Sequence, residues 1–348
     1  MISIDSEKLH TMLSASRRPV IVTHMKPDGD AIGSSMGMYH TLKSLGKNAR
    51  TALVNPAPAN LDFLVTGEHA CDIYVHETMK TETEKVIEES DLIICLDFNA
   101  FHRTDTLEDI LGKAGQPKIL IDHHLGPEAE KFDLVISQPE ISSTCELLYY
   151  VLLTLPQFDG DARRLPPAAA EALMTGMTTD TNNFANSVYP STFAMASSLI
   201  EAGVDRDRII SMLYNRFKES RIRLQGHVLK ELMHTTEDGV AYIVLDKETM
   251  IKYNVEEGDT EGFVNIPLTI DGIRLSVFAK EDNGYARISI RSKKGTSANM
   301  CSRAHFHGGG HENAAGGRLY FKKDIADITE AAEYIEEHTH LFIRNEQN

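Results

Sequence analysis

Histidine and aspartate recur in the first half of the sequence in an order that could gather metal ions. His24, Asp28 and Asp30 share one stretch, Thr23-His24-Met25-Lys26-Pro27-Asp28-Gly29-Asp30. Asp97 stands alone, Asp122, His123 and His124 are consecutive, and Asp180 follows in Thr179-Asp180-Thr181. Neutral imidazole nitrogen and carboxylate oxygen are good ligands for Mn²⁺, Mg²⁺, Fe²⁺ or Zn²⁺, and Pro27 and Gly29 allow a short loop to turn both of its carboxylates inward. Each position also has an ordinary explanation as a polar turn, a helix cap or an exposed loop acid. Their shared placement weighs against that, because an ionised group needs a partner wherever it is buried.

The elements that must position these residues are legible as apolar runs. Pro19-Val20-Ile21-Val22 reads as a buried strand ahead of His24, and a helix is expected from about Ala31 to Leu45, stopped by Gly46. Ala49 to Val54 reads as a further short strand. Asp91 to Asp97 reads as a buried strand, and Lys118-Ile119-Leu120-Ile121 as another that runs into Asp122-His123-His124. Strands therefore finish repeatedly in acid or histidine at the same relative place, which in an open α/β sheet is the crevice where ligands bind. Ser142-Ser143-Thr144 suit the start of a helix from Glu146 to Leu155, and Pro166-Pro167 open another from Ala168 to Thr178. Asp180, close to a helix carboxyl end, faces an unfavourable dipole that a nearby cation would offset. Ser34 falls in a first helical turn, where hydroxyl and free amides suit an anion. Arg103 could contact phosphate or form a surface pair.

Composition bounds the reading. The chain has 348 residues, 42% of them hydrophobic, enough for substantial cores and for two domains. No apolar run is long enough to span a bilayer and the polar opening does not resemble a secretory signal, so a cytoplasmic protein without membrane partners is expected. Cys71, Cys95, Cys145 and Cys301 lie far apart, which suggests buried, reduced thiols rather than disulfides or a CxxC zinc site. A formal net charge of −16 argues against broad binding to long duplex nucleic acid. A small anionic substrate remains compatible, because bound cations and a few placed arginines reverse the potential locally.

After Ser191 the character changes. Ser191 to Ala202 and Asp205 to about His234 read as two helices joining domains, the second long and charged. Short β-like runs then return at Val240 to Leu245, Ile273 to Ala279 and Ala286 to Ile290, with Ile325 to Glu337 as a closing helix. Arg287-Ile288-Ser289-Ile290-Arg291-Ser292 alternates like an edge or half-exposed strand and carries basic groups. His305-Phe306-His307-Gly308-Gly309-Gly310-His311-Glu312-Asn313 supplies a glycine loop whose amides can approach phosphate closely. A zinc site on His305, His307 and His311 is the competing reading, though no carboxylate or cysteine spacing completes it.

Taken in order, His24-x3-Asp28-x-Asp30, Asp97, Asp122-His123-His124 and Asp180 resemble the DHH phosphoesterase superfamily, and Gly308-Gly309-Gly310-His311 resembles its companion DHHA1 domain. The set is most similar to NrnA-type oligoribonucleases, which also act on adenosine 3′,5′-bisphosphate. Asn182 stands where that family would carry glycine. The resemblance implies an α/β fold: a DHH domain with a mainly parallel sheet flanked by helices (1–190), a helical connector (191–236) and a smaller α/β DHHA1 domain (237–348), with a cleft between them. It also implies two divalent cations, Mn²⁺ first, with Mg²⁺ or Co²⁺ as alternatives. His24 and Asp28 would hold one, Asp30, His123 and Asp180 the other, and Asp97 would bridge. His124 would contact the phosphate beside them and Asp122 would orient the loop or a metal-bound histidine. Arg291, Ser292, His311 and Asn313 would clamp a terminal phosphate or nucleotide, with Arg103 and Ser34 as further contacts.

The chemistry is coherent without the analogy. Four crowded carboxylates carry a summed charge of about −4 that two divalent ions would cancel, and a cation pair about 3.5–4 Å apart can activate water and stabilise both oxygens of an in-line displacement. The expectation is a phosphoesterase acting on short single-stranded RNA or a nucleoside bisphosphate, with a homodimer as a possible assembly. Cyclic dinucleotide phosphodiesterase, pyrophosphatase and exopolyphosphatase activities are the enzymatic alternatives. A silent nucleotide-binding module is the non-enzymatic one, disfavoured because every ligand position is filled.

Overall fold

The computed structural model describes residues 5–256 and 258–346. Six short strands build the first sheet: β1 (Pro19–Val22), β2 (Arg50–Leu53), β3 (Ile73–Val75), β4 (Leu92–Leu96), β5 (Lys118–Asp122) and β6 (Leu134–Ser137). Their spatial order is β3-β2-β1-β4-β5-β6 and every neighbouring pair is parallel. Every residue of β1, β4 and β5 is buried, which explains why these strands read as continuous Val/Ile/Leu runs rather than as alternation. The order of strands reverses between β1 and β4. That reversal is the switch point at which doubly wound sheets open a crevice, and the expected mainly parallel α/β fold is present.

The helix Gly29–Ser44 follows β1 and packs lengthwise on the helix Pro167–Asp180. Glycine sets how near they come. A Cβ on Gly33 would lie 2.6 Å from the Ala172 carbonyl oxygen, one on Gly37 would lie 2.7 Å from Leu173, and one on Gly176 would lie 2.2 Å from the Cys145 sulfur. The second of these helices runs two residues beyond the expected Thr178 and so ends on Asp180 itself.

The chain divides into two compact units between Arg216 and Phe217. The stretch read as a connector belongs to both. Met195 and Leu199 on the helix Pro190–Glu201, and Ile209 and Leu213 on the helix Arg206–Tyr214, join the core of the first unit. The single long helix expected from Asp205 to His234 does not form. It stops at Tyr214 and resumes over Glu219–His227, whose Leu224 enters a core with Val228 and Phe263 in the second unit. The apolar positions on the two sides of the break thus serve different cores.

The second unit holds a mixed sheet of β7 (Met233–Thr235), β8 (Val240–Leu245), β9 (Leu275–Glu281), β10 (Tyr285–Ser292), β11 (Gly309–His311) and β12 (Ala314–Tyr320), in the order β11-β12-β10-β9-β8-β7. Only the β8–β9 pair is parallel. The helices Ala298–His305 and Ala331–Glu346 pack on this sheet through Cys301, Ile335 and Phe342. β10 has the expected one-sided burial but sits inside the sheet, between β9 and β12. Three of the cysteines are buried; Cys71 departs from expectation and is exposed, its thiol donating to the Glu68 carbonyl in a short 3-10 turn. Among the described residues no helix is long and apolar enough to cross a membrane.

Candidate metal centre

β1, β4 and β5 end side by side, and the residues that follow them converge. His24 leaves β1 with its Nδ1 2.8 Å from the Met25 carbonyl oxygen. A carbonyl only accepts, so Nδ1 carries the proton and the Nε2 lone pair faces Asp97 Oδ2 at 3.4 Å and Asp28 Oδ1 at 3.9 Å. Asp97 follows β4 in the left-handed region, at φ 64°, which turns its carboxylate back across the strand ends. Its other oxygen accepts from the Thr144 hydroxyl at 2.9 Å and lies 3.7 Å from His123 Nε2.

Asp30 is held from behind. The backbone amides of Thr144 and Cys145, the first turn of the helix Thr144–Leu153, donate to its two oxygens at 2.6 and 2.8 Å. Asp28 caps the helix Gly29–Ser44 by accepting from the Asp30 and Ala31 amides, both at 3.1 Å. His123 Nε2 lies 3.9 Å from Asp30 Oδ2 and 3.7 Å from Asp180 Oδ2. His124 Nδ1 is 2.7 Å from Asp122 Oδ1, and its backbone amide donates to Asp122 Oδ2 at 3.1 Å, so the fully buried Asp122 grips its neighbour at two points.

Two triads of metal-ligating type result, His24–Asp28–Asp97 and Asp30–His123–Asp180, and Asp97 forms a third group with His123 and His124. The ligating atoms within each group lie within 4.8 Å of one another. Electrostatics matches this geometry. Burial, then the charges of Asp97 and Asp28, pushes the Asp30 carboxyl well above its ordinary value; burial, then Asp28, Asp180 and Asp122, does the same to Asp97. Asp180 is pushed up to about 8, chiefly by burial and then by Asp30 and Asp28. Burial and the adjacent His124 bring His123 down to about 4, leaving a neutral imidazole. Acids that resist ionisation beside imidazoles with free lone pairs are what an uncompensated cation site looks like, so the donor set fits divalent ions.

The remaining site residues fall into place unevenly. Arg103 is half-buried, its backbone carbonyl accepts from the Met25 amide at 2.8 Å, and among the described residues its guanidinium has no partner. Ser34 is a correction: it is fully buried inside its helix and its hydroxyl donates to the Ala31 carbonyl at 3.2 Å, so it offers nothing to a substrate from solvent. In the second unit Arg291 is half-buried and among the described residues has no carboxylate partner; its Nη1 donates to the Ile290 carbonyl at 3.0 Å, and burial lowers its pKa. Asn313 donates its amide to Ser292 Oγ at 3.0 Å and to the Lys293 carbonyl at 3.1 Å, so it braces Ser292. Arg291 and the backbone of His311 both pair with Ala314, at one level of the sheet; the His311 side chain lies outside the described residues.

Sequence reasoning missed Thr144 and Cys145. The Ser-Ser-Thr helix start was visible, but that its amides would serve a carboxylate from residue 30 was not. Asn182, standing where glycine was expected, has φ 47°, a left-handed conformation that asparagine tolerates better than most residues.

A doubly wound sheet with imidazoles and carboxylates gathered at its switch point defines an α/β phosphoesterase of the divalent-cation type. Comparisons with known proteins agree. The DHH family N-terminal domain matches residues 18–177 and the DHHA1 domain residues 237–337. A Thermus thermophilus protein named bifunctional oligoribonuclease and PAP phosphatase NrnA is 30% identical, over 88% of this chain and 86% of its own. A probable protein of that name from Streptococcus mutans is 28% identical, over 89% and 92%. The crystal structure of an exopolyphosphatase-related protein from Bacteroides fragilis is 36% identical and superposes with a TM-score of 0.89, covering 99% of this chain and 97% of that one. The chain belongs to the DHH–DHHA1 phosphoesterase family.

Proposed function

We propose that the protein hydrolyses short single-stranded RNA to mononucleotides and adenosine 3′,5′-bisphosphate to AMP and phosphate, using two divalent cations, Mn²⁺ in preference to Mg²⁺ or Co²⁺. The observation that carries this reading is the Asp97 carboxylate, with one oxygen 3.4 Å from His24 and the other 3.7 Å from His123. His24, Asp28 and Asp97 would hold one ion, and Asp30, His123, Asp180 and the second Asp97 oxygen the other. Such a pair, when bound, supplies water activation and charge stabilisation for in-line phosphoryl displacement.

The side chains do the rest. Met25 fixes the His24 tautomer through its carbonyl, and the Thr144 hydroxyl fixes the Asp97 carboxylate. Asp122 accepts a hydrogen bond from the Nδ1–H of His124, so Nε2 is the nitrogen left to face a phosphate oxygen. Arg103 neutralises phosphate charge in the first unit. Arg291, Ser292 and the 308–311 loop bind the terminal phosphate, with Asn313 acting through Ser292. The names borne by the Thermus and Streptococcus relatives support the substrate pair.

The name of the Bacteroides relative favours one second reading, polyphosphate hydrolysis. Side-by-side turnover with Mn²⁺ of a short RNA, adenosine 3′,5′-bisphosphate, a linear diadenylate and polyphosphate separates the two. We expect higher kcat/KM for the nucleotides; a clear preference for polyphosphate would reverse the assignment.

A further inference from the structure

From two residues past Asp180 the chain does something unusual for non-glycine residues. Asn182, Asn183, Phe184 and Ser187 all have positive φ, at 47°, 55°, 66° and 51°. For a bulky residue such as Phe184 this is an outlier conformation that needs external support. The support is local: the Phe184 amide donates to Thr181 Oγ1 at 3.0 Å, and the Asn183 amide to the Thr178 carbonyl at 2.7 Å. Together these contacts hold the Phe184 ring nearly parallel to Phe193, with centroids 5.4 Å apart and planes 15° apart. The Arg206 guanidinium lies 5.7 Å from the Phe184 ring centre and donates to the Asn183 side chain at 2.6 Å.

Phe193 is 53% exposed. Among the described residues the other exposed phenylalanine is Phe217, whose ring already carries the Arg221 guanidinium at 3.7 Å. Phe193 is thus a phenyl ring backed by another aromatic ring and open to solvent. Both rings are anchored to the candidate metal centre by separate routes. Phe184 is tied to the turn that closes the Asp180 helix. Next to Phe193, the buried Thr192 hydroxyl donates to Glu146 at 2.7 Å, and Glu146 lies two residues from the Thr144 that holds Asp97 and Asp30.

We propose that Phe193, stacked on Phe184, is a base platform: it takes the face of a nucleobase of the substrate whose phosphate is bound at the Asp180 side of the metal centre. This rests on the nucleotide reading above and deepens it by naming what distinguishes a nucleotide from a bare phosphate chain. A flat, already stacked ring suits a base because every base has a π face, and Arg206 adds a cation beside a substrate that is polyanionic.

The test uses two readouts on the full chain. Kinetics compare adenosine 3′,5′-bisphosphate with its abasic counterpart, ribose 3′,5′-bisphosphate. Binding uses a 5′-phosphorylated 2-aminopurine dinucleotide whose scissile P–O bond is replaced by P–CH2, with Mg²⁺ present. Phe193→Ala should raise KM for the adenine compound by about 10- to 100-fold with little change in kcat, and leave the abasic compound unaffected. It should also abolish the 2-aminopurine quenching seen with wild type, while Phe193→Tyr restores both. Equal losses on the adenine and abasic compounds, an unchanged quench in Phe193→Ala, or no binding of the probe by wild type would each overturn the platform. Wild type that binds and quenches the probe but cleaves no nucleotide would leave the platform standing and sink the hydrolase reading instead.

Discussion

Asp97 is 2% exposed, sits beyond the end of β4 in a left-handed conformation, and divides its two oxygens between imidazoles that arrive from β1 and β5. Among the described residues it is the carboxylate that falls in a ligating group with His24 and in another with His123. Asp97→Ala is therefore expected to cost more than about 100-fold in kcat, beyond the roughly 10- to 100-fold usual for losing an outer hydrogen-bond partner of a ligand. Asp122→Asn falls in that lower class, because Asp122 acts on His124 rather than on a cation. Steady-state kinetics at saturating Mn²⁺ check both, and similar modest losses in the two variants would remove the bridging role. Arg291 is the corresponding residue of the second unit. Among the described residues it has no carboxylate partner, and if it binds substrate as proposed, Arg291→Ala should raise KM severalfold with kcat little changed; an unchanged KM would take it out of the clamp.

At the scale of elements, the two long helices of the first unit set where Asp28, Asp30 and Asp180 meet. Their approach depends on Gly33 and Gly176, so a methyl group at either place must push backbone or Cys145 aside. Gly33→Ala should lower stability by about 1–3 kcal/mol, as overpacking does, and weaken Mn²⁺ binding by moving Asp180. Gly112, in the helix Glu108–Lys113 with nothing within 4 Å of a new Cβ, is the control: Gly112→Ala should stabilise by up to about 1 kcal/mol. Thermal melts and Mn²⁺ titrations of the two variants decide; a neutral Gly33→Ala would show that the seam is not tight.

The strands and ligand positions were legible because both leave local marks. Buried parallel strands are apolar runs, and the ligands stand at their ends. The glycine seam was not legible, since Gly33 and Gly37 look like helix weakeners until a second helix is laid against them. The anchoring of Asp30 by Thr144 and Cys145 joins residues 114 and 115 positions apart, a pairing that no window of sequence contains. The break at residues 215–218 was missed because charged residues on both sides suit a helix; which core each side serves is a tertiary fact. Ser34 was misjudged for the converse reason: a helical first turn invites an anion only when its side chains reach solvent.

For the whole molecule, the cluster makes stability depend on pH and cation together. Asp180 has a folded value of about 8 against an ordinary 3.8, and Asp30 and Asp97 shift the same way. Between about pH 4 and pH 8 the folded state thus holds protons that the unfolded state has released, so the contribution present below pH 4 is lost as pH rises through 8. Asp72, salt-bridged to Lys43 and Arg50, and Asp91, which accepts from the Ser16 hydroxyl and the Arg17 and Arg18 amides, have lowered values and act in the opposite sense, but below pH 4, outside this window. Without divalent ions the protein should therefore melt several degrees lower at pH 8.5 than at pH 5. Added Mn²⁺ should stabilise it more at the higher pH, because binding displaces fewer protons there. Melting curves in chelator and in Mn²⁺ at the two pH values test this, and an Mn²⁺ effect that shrinks with rising pH would contradict it. In a chain of net charge −16, divalent ions bound there would neutralise the carboxylates that otherwise repel a phosphate.

On the proposed function, residues that follow β1, β4 and β5 and the end of the Asp180 helix form one centre for two cations joined through Asp97. Counting bound Mn²⁺ by calorimetric titration of the metal-free chain tests it most directly. Two ions per chain for wild type, and no more than one tightly bound ion for Asp97→Ala, is the predicted result; a single ion in wild type, or two undiminished ions in the variant, would contradict it.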